Sequence, residues 1–215
     1  MGKIVLATII ISGSAKWLLN VDGNKEKWYG SDRIFMYVMT VFGAMTVNYS
    51  EQCTEYGWVV SNLRLLAGCL LAGGLLSAAY MDRRNCWVYN YVWWWCLPWA
   101  GILGMTAGGE FHGIVAVLVF VMLQQLLFSR MYGKADCHAF SVCALAECGN
   151  AVGMVGFLLQ MFLSVVLLTI VQLFRGNVTP RGRLREPQPF IPYITVSFWM
   201  VTVLRYFLNA TYIYA

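Results

Sequence analysis

The sequence predicts an all-α integral membrane protein: a polytopic bundle of about eight transmembrane helices, folded as one domain over residues 1–215. Three observations carry this reading: an apolar composition, apolar runs long enough to cross a bilayer, and basic loops that alternate with loops free of Lys and Arg. Hydrophobic residues make up 60% of the chain and charged residues 12%, where soluble domains carry about 25% charged residues. Mean hydropathy is +0.63. No polar stretch is long enough to form a sizeable extramembrane domain.

A hydrocarbon core of roughly 30 Å needs a run of about 17 to 25 apolar residues. Such runs, or runs close to that length, cover 4–19, 34–49, 57–80, 87–105, 111–128, 138–153, 154–174 and 190–208. The sixth is short and carries Glu147 and Asn150, so it is expected to insert only in part, with its polar groups turned toward protein. Lys16 lies inside the first run, one turn from its end, where a long side chain reaches the interface.

Loop charge sets the orientation. Lys25, Lys27 and Arg33 follow the first run, Arg83 and Arg84 the third, Arg130 and Lys134 the fifth, and Arg175, Arg181, Arg183 and Arg185 the seventh. The alternate loops, around 51–56, 106–110 and 148–153, contain no Lys or Arg. Cytoplasmic loops collect these residues, so every odd-numbered run is expected to end in the cytoplasm, with both termini outside. A single crossing over 138–174 would put the four arginines on the wrong side. The start, "MGKIVLATIIISGSAKW", also has the anatomy of a signal peptide, but its removal would invert every later loop.

This topology separates two acids from the rest. Asp82 in "AAYMDRRNC" and Asp136 in "YGKADCHAF" fall at cytoplasmic ends of runs, on one side of the membrane. Asp22, Glu26, Glu51 and Glu55 lie among polar loop residues. An ionised aspartate near the membrane interior costs on the order of 3 kcal/mol and usually marks a site. The plain alternative is interfacial ion pairing, of Asp82 with Arg83 or Arg84 and of Asp136 with Lys134.

The surroundings of both aspartates resemble the signatures of the type IV prepilin peptidases, intramembrane aspartic proteases with a GxGD motif. Gly133, Lys134, Ala135 and Asp136 stand at that motif. Asp82 is followed eight residues on by Asn90, after Val88 and Tyr89, similar to the family's "IPN" turn. "EPQPFIPYITVSF", with Pro189, Phe190, Pro192 and Tyr193, is similar to the "iPFxPF" segment that opens the family's last helix. The three signatures occur in the family's order, over roughly residues 63–215. Ala135 replaces the second glycine and Tyr89 the turn proline; an alanine fits that place without strain where its φ is negative.

The resemblance implies a hydrolase with Asp82 and Asp136 as its catalytic pair and no metal or cofactor. Two carboxylates bridged by water share one proton; the charged one activates the water and the protonated one binds the scissile carbonyl. Asn90, Gly133, Lys134, Ala135, His138, Pro189 and Pro192 would bind substrate or shape the site, and Lys134 and His138 are placed to tune Asp136 unless they are merely interfacial. The implied substrate is a prepilin or pseudopilin, with a basic leader cut at the cytoplasmic membrane face before an apolar helix. Many family members carry paired CxxC motifs in an insertion that serves N-methylation. The seven cysteines here, at 53, 69, 86, 96, 137, 143 and 148, form no CxxC, so the expected enzyme is a peptidase without methyltransferase activity.

Other signals read as structure. Gly73, Gly74, Gly104, Gly108 and Gly109 are expected to admit close helix packing. The run "VWWWCLPW" at 92–99 is expected to anchor at the interface or face lipid. Glu110 and His112 supply too few ligands for a metal, and the sequon at Asn177 would lie in the cytoplasm. No nucleic-acid-binding patch is visible. A small transporter using Asp82, Asp136 and Glu147 for protons or cations would place acids near the midplane, and an inactive peptidase-like scaffold would keep the fold without the chemistry.

Overall fold

A computed structural model describes residues 2–21, 30–52, 57–108, 111–130, 133–148, 153–175 and 188–213. Every regular element among them is helical: α1 (Gly2–Asn20), α2 (Gly30–Gln52), α3 (Trp58–Asn85), α4 (Asn90–Met105), α5 (Phe111–Leu126), a short 3-10 turn (Phe128–Arg130), α6 (Lys134–Glu147), α7 (Gly153–Phe174) and α8 (Ile191–Ile213). The eight α-helices coincide with the eight apolar runs. Three segments, Gly2–Asn20, Trp58–Asn85 and Met154–Phe174, are long and apolar enough to cross a membrane, and Gly113–Leu126 and Ile191–Leu204 are shorter apolar helices. Lys25, Lys27, Arg181, Arg183 and Arg185, on which the charge alternation partly rests, lie outside the described residues, as do Asp22, Glu26, Glu55, Gly109, Glu110, Asn150 and Asn177.

Helix α3 is the hub, packed against α1, α2, α4 and α8. Its two faces feed two cores. Cys69, Ala72, Leu76 and Tyr80 join Ile11, Met39 and Trp199 from α1, α2 and α8. Leu71, Leu75 and Ala78 join residues of α4, α6 and α8 in the larger one, which contains Phe140, Phe157 and Ile194. Small residues make these approaches possible. A side chain at Gly73 would strike Ser14 of α1, one at Gly74 would strike Cys96 of α4, and one at Gly104 would strike the Leu145 carbonyl of α6. Gly108 departs from the expected packing role: it is an exposed turn residue with φ 71°, a left-handed conformation that glycine adopts freely.

The aromatic run divides by helical phase rather than acting as one belt. Trp94 is 75% exposed, as expected, whereas Trp93 is buried in the larger core and Trp95 donates from Nε1 to the Leu70 carbonyl at 3.3 Å. Adjacent residues on a helix point about 100° apart, so a run of three tryptophans covers both the inner and the outer face.

Arg64, not among the residues singled out above, is buried in α3 and donates from Nη1 to the Leu103 carbonyl at 3.2 Å and the Thr106 hydroxyl at 3.0 Å. These partners close the C-terminal end of α4, where a cation is favoured by the helix dipole. Arg64 precedes Asp82 by eighteen helical residues, so it lies about 27 Å away along α3. Its visible signal was an arginine seven residues inside an apolar run.

Candidate active site

Asp82 sits in the last turn of α3 and is 6% exposed. That is an unfavourable place for a carboxylate, because the helix C-terminus carries partial negative charge. The chain compensates from elsewhere. Helix α8 begins at Ile191, whose backbone N–H has no acceptor within its own helix, and this N–H donates to Asp82 Oδ2 at 2.9 Å. Pro192 follows in the first turn; it brings no N–H and costs the helix none of its bonds. The start of α8 thus gives Asp82 both a donor and the positive end of a helix dipole.

The arginines beside Asp82 turn elsewhere. Arg83 lies with its guanidinium 4.6 Å from the Phe35 ring centroid, and Arg84 donates from Nη1 to the Tyr80 hydroxyl at 3.3 Å. Neighbouring helical residues do not face one another.

Asp136 occupies the third position of α6, with Gly133 as its N-cap. Its Oδ2 accepts from the Gly133 backbone N–H at 3.2 Å, the side-chain half of a capping box. A Cβ at Gly133 would lie 3.2 Å from that same oxygen, so glycine lets the carboxylate fold back onto the cap. Burial raises the Asp136 carboxyl from 3.8 to about 7, the Asp82 charge raises it further within that total, and the Gly133 N–H opposes both. Asp82 is therefore close enough to act electrostatically on Asp136.

Aromatic packing brings the pair together. Phe140 lies one turn beyond Asp136 on the same face of α6, and its ring meets Phe190 edge-on at 5.8 Å and Phe157 of α7 at 6.2 Å. Phe190 immediately precedes the residue that binds Asp82. The path from one carboxylate to the other runs through Phe140, Phe190 and the Ile191 N–H. None of these was a predicted site residue, although Phe190 belongs to the segment that carried the resemblance.

The remaining candidates fall in distinct places. Gly133 and Lys134 are exposed and Ala135 half-buried at the start of α6, leaving the Asp136 side of the helix accessible. Ala135 is the second residue of the helix, where φ is negative, so it carries no strain. Tyr89, at the place of the turn proline, has φ −73° and ψ 142°, values a proline would adopt with its φ near about −65°. Asn90 opens α4 and is exposed. Pro189 and Pro192 are half-buried around the start of α8.

His138 is two residues past Asp136 and faces another way. Its Nδ1 lies 3.3 Å from Gln125 Nε2 of α5 and its ring 6.0 Å from that of Trp93. It belongs to the packing between α4, α5 and α6, and neither it nor Lys134 contributes to the shift of Asp136.

One feature of the site was invisible in the sequence. Cys86 ends α3 in a left-handed conformation, φ 50° and ψ 32°, and its N–H donates to the Asp82 carbonyl at 2.8 Å. Its thiol is pushed up by burial and by the Asp82 charge. Among the described residues no group of three or more His, Cys, Asp or Glu converges as a metal site would. Compared with protein-family models, curated proteins and solved structures, the chain matches none.

Proposed function

We propose that the protein is an intramembrane aspartic endopeptidase of the prepilin peptidase type, a single-domain bundle of eight crossings whose site opens to the cytoplasm. The supporting observation is that two acids from distant segments, Asp82 at the end of α3 and Asp136 at the start of α6, lie near enough for the charge of one to raise the other. A carboxyl held near 7 beside a second acid is what a shared proton requires.

In the proposed reaction the ionised carboxylate takes a proton from water, and the resulting hydroxide adds to the scissile carbonyl carbon. The protonated carboxyl hydrogen-bonds the carbonyl oxygen as it becomes negative. Collapse of the tetrahedral intermediate breaks the C–N bond, and the leaving amine collects a proton from the pair. The substrate class is a prepilin or pseudopilin, whose basic leader stays in water beside the exposed start of α6 while its apolar helix remains in lipid. With no CxxC in the chain, cleavage proceeds without N-methylation.

Co-expression with a prepilin tests the reading. The native chain removes the leader, and Asp82→Asn and Asp136→Asn each abolish removal while leaving the protein in the membrane. Retained cleavage in either variant, or a transport defect with cleavage intact, rejects it.

A further inference from the structure

We propose that a cleft between α1 and α2 binds an anionic phospholipid, with Lys16 and Arg33 holding its phosphate and the groove beyond them holding the start of an acyl chain. The cleft has a volume of about 410 Å³ and is lined by Thr8, Ser12 and Lys16 on α1 and by Arg33, Tyr37 and Val41 on α2, among others. Both sets are spaced four residues apart, so each forms a stripe along one helix face. Residues 21–29 join the helices, which pack against each other, so the end of α1 meets the start of α2. The two cations share that end.

The chemistry changes along the groove. At one end two long cationic side chains are exposed, and none of the lining residues is acidic. Asp32, the acid beside Arg33, is buried and does not line the cleft. Farther in, the Thr8 hydroxyl donates to the Ile4 carbonyl at 2.8 Å and the Ser12 hydroxyl to the Ile9 carbonyl at 3.1 Å. Their protons are used within α1, leaving Lys16, Arg33 and Tyr37, with Thr40 on the α2 wall, to address a headgroup. From Lys16 to Thr8 the groove runs about 12 Å, with Met36 and Val41 on its wall.

A free phosphate would use only the cationic end. A phospholipid uses both: its phosphate takes charge-assisted bonds from Lys16 and Arg33, and its chain covers the apolar wall. Helix α1 is long and apolar enough to lie in a bilayer, and the cleft opens on its outer face, where Ser12, Lys16 and Tyr37 are exposed. The site also accounts for a lysine within an apolar run, since a cation near the membrane interior is costly without a partner.

The test is native mass spectrometry of the delipidated full chain, titrated with palmitoyl-oleoyl phosphatidylglycerol or phosphatidylcholine, and with inorganic phosphate as competitor. The expected result is a one-lipid adduct that forms with phosphatidylglycerol at about tenfold lower concentration than with phosphatidylcholine. Lys16→Ala/Arg33→Ala loses this preference. Lys3→Ala/Arg175→Ala, which removes two exposed charges elsewhere, keeps it, as does Lys16→Arg/Arg33→Lys. Should the double alanine variant fail to fold, Arg33→Gln alone carries the comparison. Equal binding of the two lipids, equal loss in both double-alanine variants, a preference kept without Lys16 and Arg33, or displacement by phosphate at matching concentration overturns the proposal.

Discussion

The Ile191 backbone N–H donates to Asp82 Oδ2 at 2.9 Å across 109 residues of sequence. The bond joins the acidic end of one helix to the electropositive start of another, so each supplies what the other lacks. It also fixes the orientation of a carboxylate that α3 alone would hold poorly.

Asp82→Asn keeps a carbonyl oxygen for the Ile191 N–H, whereas Asp82→Ala leaves that N–H without it. An orphaned buried donor costs about 1–3 kcal/mol, so the alanine variant unfolds at lower temperature than the asparagine variant. On the proposed peptidase reaction, both lose leader cleavage, by at least about a hundredfold. Thermal melts in detergent and a cleavage assay separate the two effects.

With the Asp136 carboxyl at about 7, the proposed reaction predicts that cleavage falls as pH rises above that value, because the pair would then lose the proton the mechanism shares. The sign for stability follows from the same raised value. The folded chain binds this proton more tightly than the unfolded chain does, at 3.8, so the contribution to stability is full below 3.8 and is lost as pH rises through about 7. Asp136→Asn removes this dependence. The measurement is the melting temperature of both proteins at pH 5 and pH 8, and the variant gains relative to the native chain at pH 8.

Gly133→Ala pushes a methyl group against the Asp136 carboxylate and lowers cleavage with only a small change in stability. Ala135→Gly, which restores the GxGD spelling, does not improve the backbone, since Ala135 is already helical. It lowers stability by about 0.5–1 kcal/mol, the cost of glycine in a helix. Activity and melting temperature of the two variants move in these opposite patterns.

Cys86→Gly relieves the positive φ at the end of α3. A non-glycine residue there costs roughly 1–2 kcal/mol, partly offset by the greater freedom of glycine when unfolded, so the net gain is about 1 kcal/mol. Denaturation in detergent reads the change.

Gly104→Ala forces α4 away from the Leu145 carbonyl of α6. Backbone cannot yield as a flexible side chain does, so the variant loses stability by about 1–3 kcal/mol or more. Gly108→Ala, at an exposed turn with φ 71°, loses less and by backbone strain alone. Comparing the two melts distinguishes packing from conformation.

Much of the architecture was legible because its causes are local. Apolar runs located all eight helices, and small residues at Gly73, Gly74 and Gly104 marked contacts that the fold makes. The pairing of Gly133 with Asp136 drew attention only as part of a family-like motif; that one caps α6 and the other is its third residue came from the structure. Asp82 and Asp136 were also legible as residues at the ends of runs: they stand in the last turn of α3 and the first turn of α6, because helix formation continues a little past the apolar segment.

By itself the sequence determined composition, helix number and the two acids that stand apart from the polar loops. Tertiary structure alone decided that the Ile191 N–H would bind Asp82, that Phe140 and Phe190 would link the two carboxylates, and that Arg83, Arg84 and His138 would turn to other partners. The reason is physical. Hydropathy and capping act within a few turns of one helix, whereas the acceptor of a helix-end amide and the direction of a charged side chain depend on which helix packs alongside.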